Sequence, residues 1–228
     1  MSYNSLINKL KGENMHIPDG YLSPATVAAG YAVMIPLWAY GFRKLKEKLD
    51  EKTLPLLGTL SALSFLIMMF NIPVPGGTSG HAIGTALIAI IFDPWVAFIA
   101  VSFVLLIQAV VFGDGGISTW AINSFDMAFI AAFVGYYTFK FLKGKTKFAP
   151  FIAGWLSISV AALSDSIFLG IQPIFWHDAS GHPLYFPFGL SVTIPAMMFA
   201  HMFIFGIVEG VFTQIVYSFL QKREKALA

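Results

Sequence analysis

Long apolar runs separated by short, turn-rich polar breaks organise this chain. The runs cover about residues 23–42, 54–72, 81–92, 95–112, 119–141, 148–171 and 188–220. Most reach about 18 residues with few charges, the length an α-helix needs to cross a bilayer. The alternating ten-residue segments of a transmembrane β-barrel are not seen. The breaks carry the chemistry that starts and stops helices. Ser23-Pro24 is an N-cap followed by proline at the first helical position. Pro73-Val74-Pro75-Gly76-Gly77, Asp93-Pro94 and Gly113-Asp114-Gly115-Gly116 each interrupt a helix. A long loop, Gln172 to Pro187, precedes the last run, which has Pro195 near its start. The pattern predicts an all-α polytopic membrane protein with seven transmembrane helices.

Composition supports that class. Only 11% of the 228 residues are charged and 57% are apolar, with 23 phenylalanines and a mean hydropathy of +0.74. Soluble domains carry about 25% charged residues, so this surface is built for lipid rather than water or nucleic acid. The absence of cysteine excludes disulfides and thiolate metal sites. Small residues such as Gly30, Gly135, Gly154, Ala161 and Gly206 suit close helix packing in lipid.

The placement of charge predicts orientation. Arg43, Lys44, Lys46, Lys48 and Lys52 follow the first run. Lys140, Lys143, Lys145 and Lys147 flank the end of the fifth, and Lys222, Arg223 and Lys225 follow the last. The loops at the opposite ends, residues 71–80, 113–118 and 172–187, contain no lysine or arginine. The positive-inside rule makes the basic end cytoplasmic. The N-terminus is then outside, the C-terminus is cytoplasmic, and the protein is multi-pass in the inner or plasma membrane. Residues 15–221 form the membrane domain and 222–228 a basic tail. Residues 1–14 are a polar extension without the apolar core of a signal peptide. Lys9 and Lys11 within it are the only exceptions to the charge rule, which weighs toward its absence from the mature protein.

Two outward polar segments carry the candidate chemistry: Met15-His16-Ile17-Pro18-Asp19-Gly20 and Pro75-Gly76-Gly77-Thr78-Ser79-Gly80-His81. With Met15 as first residue, its amine, the Met15–His16 peptide nitrogen and the His16 imidazole form a nearly planar chelate. His81 supplies a fourth nitrogen, a square-planar arrangement that suits Ni(II) or Cu(II). Such a site requires unprotonated donors, so affinity falls in acid. Asn71, Thr78, Ser79, Gln108, Asp114 and Asn123 are candidates to orient the ligands and hold the two loops together, or else simply cap helices and satisfy loops. Asp126, Asp165, His201 and Glu209 fall within or near apolar runs, where ionisable groups are expensive and usually functional. His201 and Glu209 are about 80° apart on an ideal helix and are candidates for coupling to a partner, with pairing to a neighbour inside the bundle as the other reading of Glu209. His177 and His182 in the outer loop are candidates to pass metal inward, or else simply solvated loop side chains.

MHIPDG, NIPVPGGTSGH, QAVVFGDGG with Asn123, and AHMFIFGIVEG together resemble the CbiM/NikM family over about residues 15–220. Members are the substrate-binding membrane components of energy-coupling-factor transporters for cobalt and nickel. The resemblance implies Met15, His16 and His81 as metal ligands, with Ni(II) or Co(II) bound as transported substrate and no cofactor. MHIPDG looks more like the nickel branch. It also implies a transmembrane coupling protein, cytosolic ABC ATPases and a small ancillary membrane subunit as partners, with ATP hydrolysed by them and not by this chain. Gly144-Lys145-Thr146 is not a phosphate loop of its own, because the glycine required five residues earlier is Phe139. Two rival readings are a rhomboid-like serine protease using Ser79 and His201 and a self-sufficient metal carrier. The first leaves MHIPDG unexplained, and neither an inverted repeat nor acidic residues lining a path through several spans supports the second.

Overall fold

The computed structural model of the chain describes residues 16–74 and 78–227. Among these, seven helices form a bundle. They are α1 Pro24–Lys48, α2 Leu54–Met68, α3 Thr85–Ile91, α4 Pro94–Phe112, α5 Trp120–Leu142, α6 Ala149–Gly170 and α7 Leu190–Arg223. The expected seven segments are therefore present, with shifted boundaries. Helix α1 runs on through the basic exit to Lys48, because Arg, Lys and Glu are good helix formers. Helix α2 stops at Met68, and the chain then forms a two-stranded hairpin, β1 Ile72–Val74 against β2 Thr78–Gly80, pairing Ile72 with Gly80 and Val74 with Thr78.

The larger departure is at the third segment. The apolar run His81–Phe92 predicts one helix, but only Thr85–Ile91 is helical. Apolarity reports burial and not conformation, and residues 82–89 are all buried. Seven residues span ~10 Å, far short of a hydrocarbon core of about 30 Å. The extended stretch His81–Gly84 makes up part of the descent, and Gly84 starts the helix from a left-handed conformation, φ +71°.

Extended backbone inside a bundle needs partners that neighbouring elements must supply. The Glu209 carboxylate of α7 accepts from the backbone N–H groups of Ile83 (2.7 Å) and Gly84 (3.1 Å). Ser64 of α2 donates its hydroxyl to the Ile83 carbonyl at 2.6 Å. The His81 ring donates from Nδ1 to the Ala82 carbonyl at 2.9 Å, and Thr85 donates to the Met127 carbonyl of α5. Helices α2 and α7 thus hold one short non-helical strap, and α5 holds the first residue of the helix that follows it.

The two ends of the bundle are locked differently. At the basic end, the Asp93 carboxylate caps α4 by accepting from Trp95 and Val96 N–H, and it also pairs with Lys48 at the end of α1. At the other end, Ser23 accepts from Thr26 N–H to cap α1, while its own N–H donates to buried Gln172 beyond α6. Close approaches follow the small residues. A side chain at Gly154 would meet Thr213 of α7 at 2.7 Å, and one at Gly135 would meet Ala86 of α3 at 2.8 Å. Large exposed apolar side chains such as Leu66, Val111, Phe141 and Ile215 cover the outside of the helices, as expected where lipid replaces water.

Glu209→Ala leaves two buried N–H groups unpaired and is expected to destabilise the protein by about 2–6 kcal/mol, at about 1–3 kcal/mol for each group. Glu209→Gln keeps an acceptor oxygen and should lose less. Thermal unfolding in detergent checks the order wild type, Gln, Ala; an unchanged Ala variant would show that the strap does not depend on this carboxylate.

Candidate metal centre

The segment after Met15 is fixed by the turn that precedes α5. Asn123 of α5 grips Ile17 from both sides: its Oδ1 accepts from Ile17 N–H and its Nδ2 donates to the Ile17 carbonyl, each at 3.1 Å. Gly116 N–H and the Thr119 hydroxyl donate to the same carbonyl. The Asp19 carboxylate accepts from the N–H groups of Ile117 and Ser118 and from the Ser118 hydroxyl. Burial alone would raise Asp19, but these donors outweigh it and hold the carboxyl below its usual range. Gly115, at φ +82°, lets the turn close on the histidine, since a Cβ there would lie 2.9 Å from His16 Cβ. MHIPDG and GDGG, separate in sequence, form one hydrogen-bonded unit.

His16 and His81 meet at the top of the bundle. Both are buried, at 4% and 5% exposure, and their rings lie edge to face with centroids 5.1 Å apart. His16 Nδ1 lies 3.7 Å from the Asp114 carboxylate. Its Nε2 is buried without a hydrogen-bond partner among the described residues. The His81 Nδ1 donor bond to Ala82 fixes the tautomer and leaves Nε2 as a lone-pair donor. Burial pushes the His16 imidazole down to about 4, partly opposed by the Asp114 backbone carbonyl. It pushes His81 down to about 3, with repulsion from His16 as the next cause. Two desolvated, neutral imidazoles facing each other are a ready pair of nitrogen ligands for a borderline cation.

Met15 lies outside the described residues, as do the side chains of Thr78 and Ser79. The Ser79–His201 pair of the protease reading therefore has no described geometry. Gln108 is fully buried, with neither amide atom hydrogen-bonded among the described residues, while its backbone carbonyl accepts from Asp114 N–H. Asn71 is half-buried just before β1. His201 lines the cavity beneath the two histidines, and Glu209 holds the strap instead of facing outward. His177 and His182 are exposed, His182 beside Asp178. Among the described residues no three His, Asp or Glu side chains converge on one ion, so two imidazoles need further donors from outside that set.

The roles of Asp19, Thr119 and Ser64 had no signal in the sequence beyond turn and helix chemistry. The meeting of Asp126, Asp165 and His201 in one cavity had none beyond their rarity in apolar runs.

These features define a polytopic membrane protein with a buried two-histidine centre at one end of the bundle. The chain belongs to the family described as the cobalt uptake substrate-specific transmembrane region, which it matches over residues 16–227. It is 47% identical to a probable fused nickel transport protein of Lactiplantibacillus plantarum over 212 residues, covering 91% of this chain but 65% of that relative. It is 48% identical to a putative metal transport protein of Methanocaldococcus jannaschii, covering 91% of this chain and 92% of the relative. Among solved structures, a truncated transition metal transporter superposes with a TM-score of 0.88 at 48% identity, covering 92% of this chain and 99% of the other.

Asn123→Ala leaves the Ile17 N–H unpaired and should cost about 1–3 kcal/mol locally. Hydrogen exchange by mass spectrometry is expected to show faster exchange in the peptide spanning residues 16–21, with the strap around Ile83 unchanged. Equal exchange in both proteins would remove Asn123 as the anchor of the histidine segment.

Proposed function

We propose that this chain is the metal-binding membrane component of an importer for Ni(II) or Co(II), belonging to the energy-coupling-factor class. The observation that carries the reading is the buried His16–His81 pair, with His16 held by the interlocked MHIPDG and GDGG segments and His81 by the strap. The relatives support it, being named for nickel or metal transport, and they favour a transporter over a protease. The ion is substrate and not cofactor. Its donors are the Met15 amine, the Met15–His16 peptide nitrogen, the His16 imidazole and His81. His16 Nδ1 is the imidazole nitrogen that closes a chelate ring with its own peptide nitrogen, and it faces Asp114 in the structure, so ion binding competes with that contact. The end whose three loops carry no lysine or arginine faces outward and the basic end the cytoplasm. A transmembrane coupling protein, ABC ATPases and a small ancillary membrane subunit supply the energy and release the ion inward. Nickel is the expected ion, since a planar nitrogen set favours it.

His16→Ala and His81→Ala should each abolish tight nickel binding by calorimetry. Normal binding by either variant refutes the ligand assignment.

The acid dependence identifies the remaining donors. Protons compete for the two imidazoles only below about pH 4 and about pH 3. An α-amine titrates near about 7.7–8.0, and peptide nitrogen ligation releases a further proton. Affinity that falls steeply between about pH 8 and about pH 5 therefore reports the Met15 amine and its peptide nitrogen. A profile flat down to about pH 4 would mean that the imidazoles act without them. Intact-mass analysis of the native protein shows in parallel whether Met15 is its first residue.

A further inference from the structure

Below the two histidines the bundle encloses a cavity of about 50 Å³ whose lining includes His16, His81, Asp126, Asp165, Met197 and His201. A cavity of this size holds a few water molecules. Its depth follows from helix position. Asp165 lies five residues before the end of α6, and Asp126 six residues into α5, so both sit roughly 7–9 Å inside the helix ends that flank the histidines. His201, eleven residues into α7, lies ~16 Å inside. The cavity thus leads from the two imidazoles toward the interior.

Two carboxylates in such a place call for a ligand. Asp126 is 1% exposed, and neither of its carboxylate oxygens has a hydrogen-bond partner among the described residues. The Ser164 hydroxyl lies beside it, and Asp165 lines the same cavity. A buried carboxylate left unpaired is costly, and a second one beside it compounds the cost. A divalent cation removes both penalties at once. Across the cavity, His201 donates from Nδ1 to the Met197 carbonyl, which leaves its Nε2 lone pair as a further nitrogen donor.

We infer that Asp126 and Asp165, with cavity water that reaches the His201 imidazole below them, form a second, weaker station for a divalent transition-metal ion on its way inward from the His16–His81 site. Because no three side chains among the described residues converge on one point, the ion keeps part of its water shell here and is held loosely. Loose binding suits the role, since a path must bind an ion well enough to admit it and weakly enough to let it go. The proposal rests on the two-histidine reading above.

Nickel titration of the purified full chain in detergent tests it, by calorimetry for the tight class and equilibrium dialysis at higher nickel for a weaker one. Wild type is expected to show both classes. Asp126→Asn and Asp165→Asn should each lose the weaker class and keep the tight one, which also certifies the fold. A missing tight class in wild type refutes the outer site. A tight class with no weaker class, or a weaker class that survives both substitutions and so belongs to groups such as His177 and His182, overturns the inner station. So does a fall in tight affinity alone, which would make the carboxylates counter-charges to the outer ion. Infrared difference spectra of wild type add a measurement that depends on no variant. Nickel beyond one equivalent should shift carboxylate stretching bands, and unshifted bands overturn the proposal.

Discussion

The position of His81 depends on four residues of non-helical backbone held inside a helical protein. His81–Gly84 cannot hydrogen-bond to itself, and in lipid it has no water to turn to. Glu209, Ser64 and the His81 ring supply the missing partners. The cost of unpaired groups in this setting makes the arrangement stiff: a displacement of α7 pulls on the N–H groups of Ile83 and Gly84, and so on the histidine two residues before. A histidine placed on a strap that α7 grips is connected through hydrogen bonds to the longest helix of the bundle. Of the two readings the sequence left for Glu209, a contact to another protein or a pairing inside the bundle, the structure has the pairing.

The second histidine is held by the opposite device. His16 lies in a loop, and the loop is stapled to a glycine-rich turn and to Asn123 through Ile17 and Asp19. Glycine at 115 is required both by its left-handed backbone and by the space the histidine takes. Once the two supports bring the rings together, burial does the chemistry. It removes water from both imidazoles and holds them neutral, the form that donates to a metal.

Three stretches of π-helix interrupt the bundle, at Gln108–Phe112, Phe125–Ile130 and His201–Phe205. Each contains or begins with a polar residue of this region: Gln108, Asp126 and His201. A π turn inserts an extra residue and rotates the rest of its helix, and such insertions concentrate at functional sites. The eight-residue separation of His201 and Glu209 reads as about 80° on an ideal helix, but the π segment lies between them and breaks that arithmetic. One residue lines the cavity and the other grips the strap.

The sequence by itself determined the class of the protein, its seven helical segments, the division into a basic and a lysine-free end, and the two histidines worth watching. These are legible because apolar length, proline and glycine breaks and charge placement act locally. The tertiary structure decided that the third segment is half strap and half helix, since an apolar run reads the same whether it is helical or extended. It also decided that His16 and His81, 65 positions apart, face each other, and that Asp126 of α5 and Asp165 of α6 share a cavity. Those facts depend on helix phase and packing between distant segments. A shift of one residue, such as a π turn makes, changes which face a side chain occupies, and no local pattern records it.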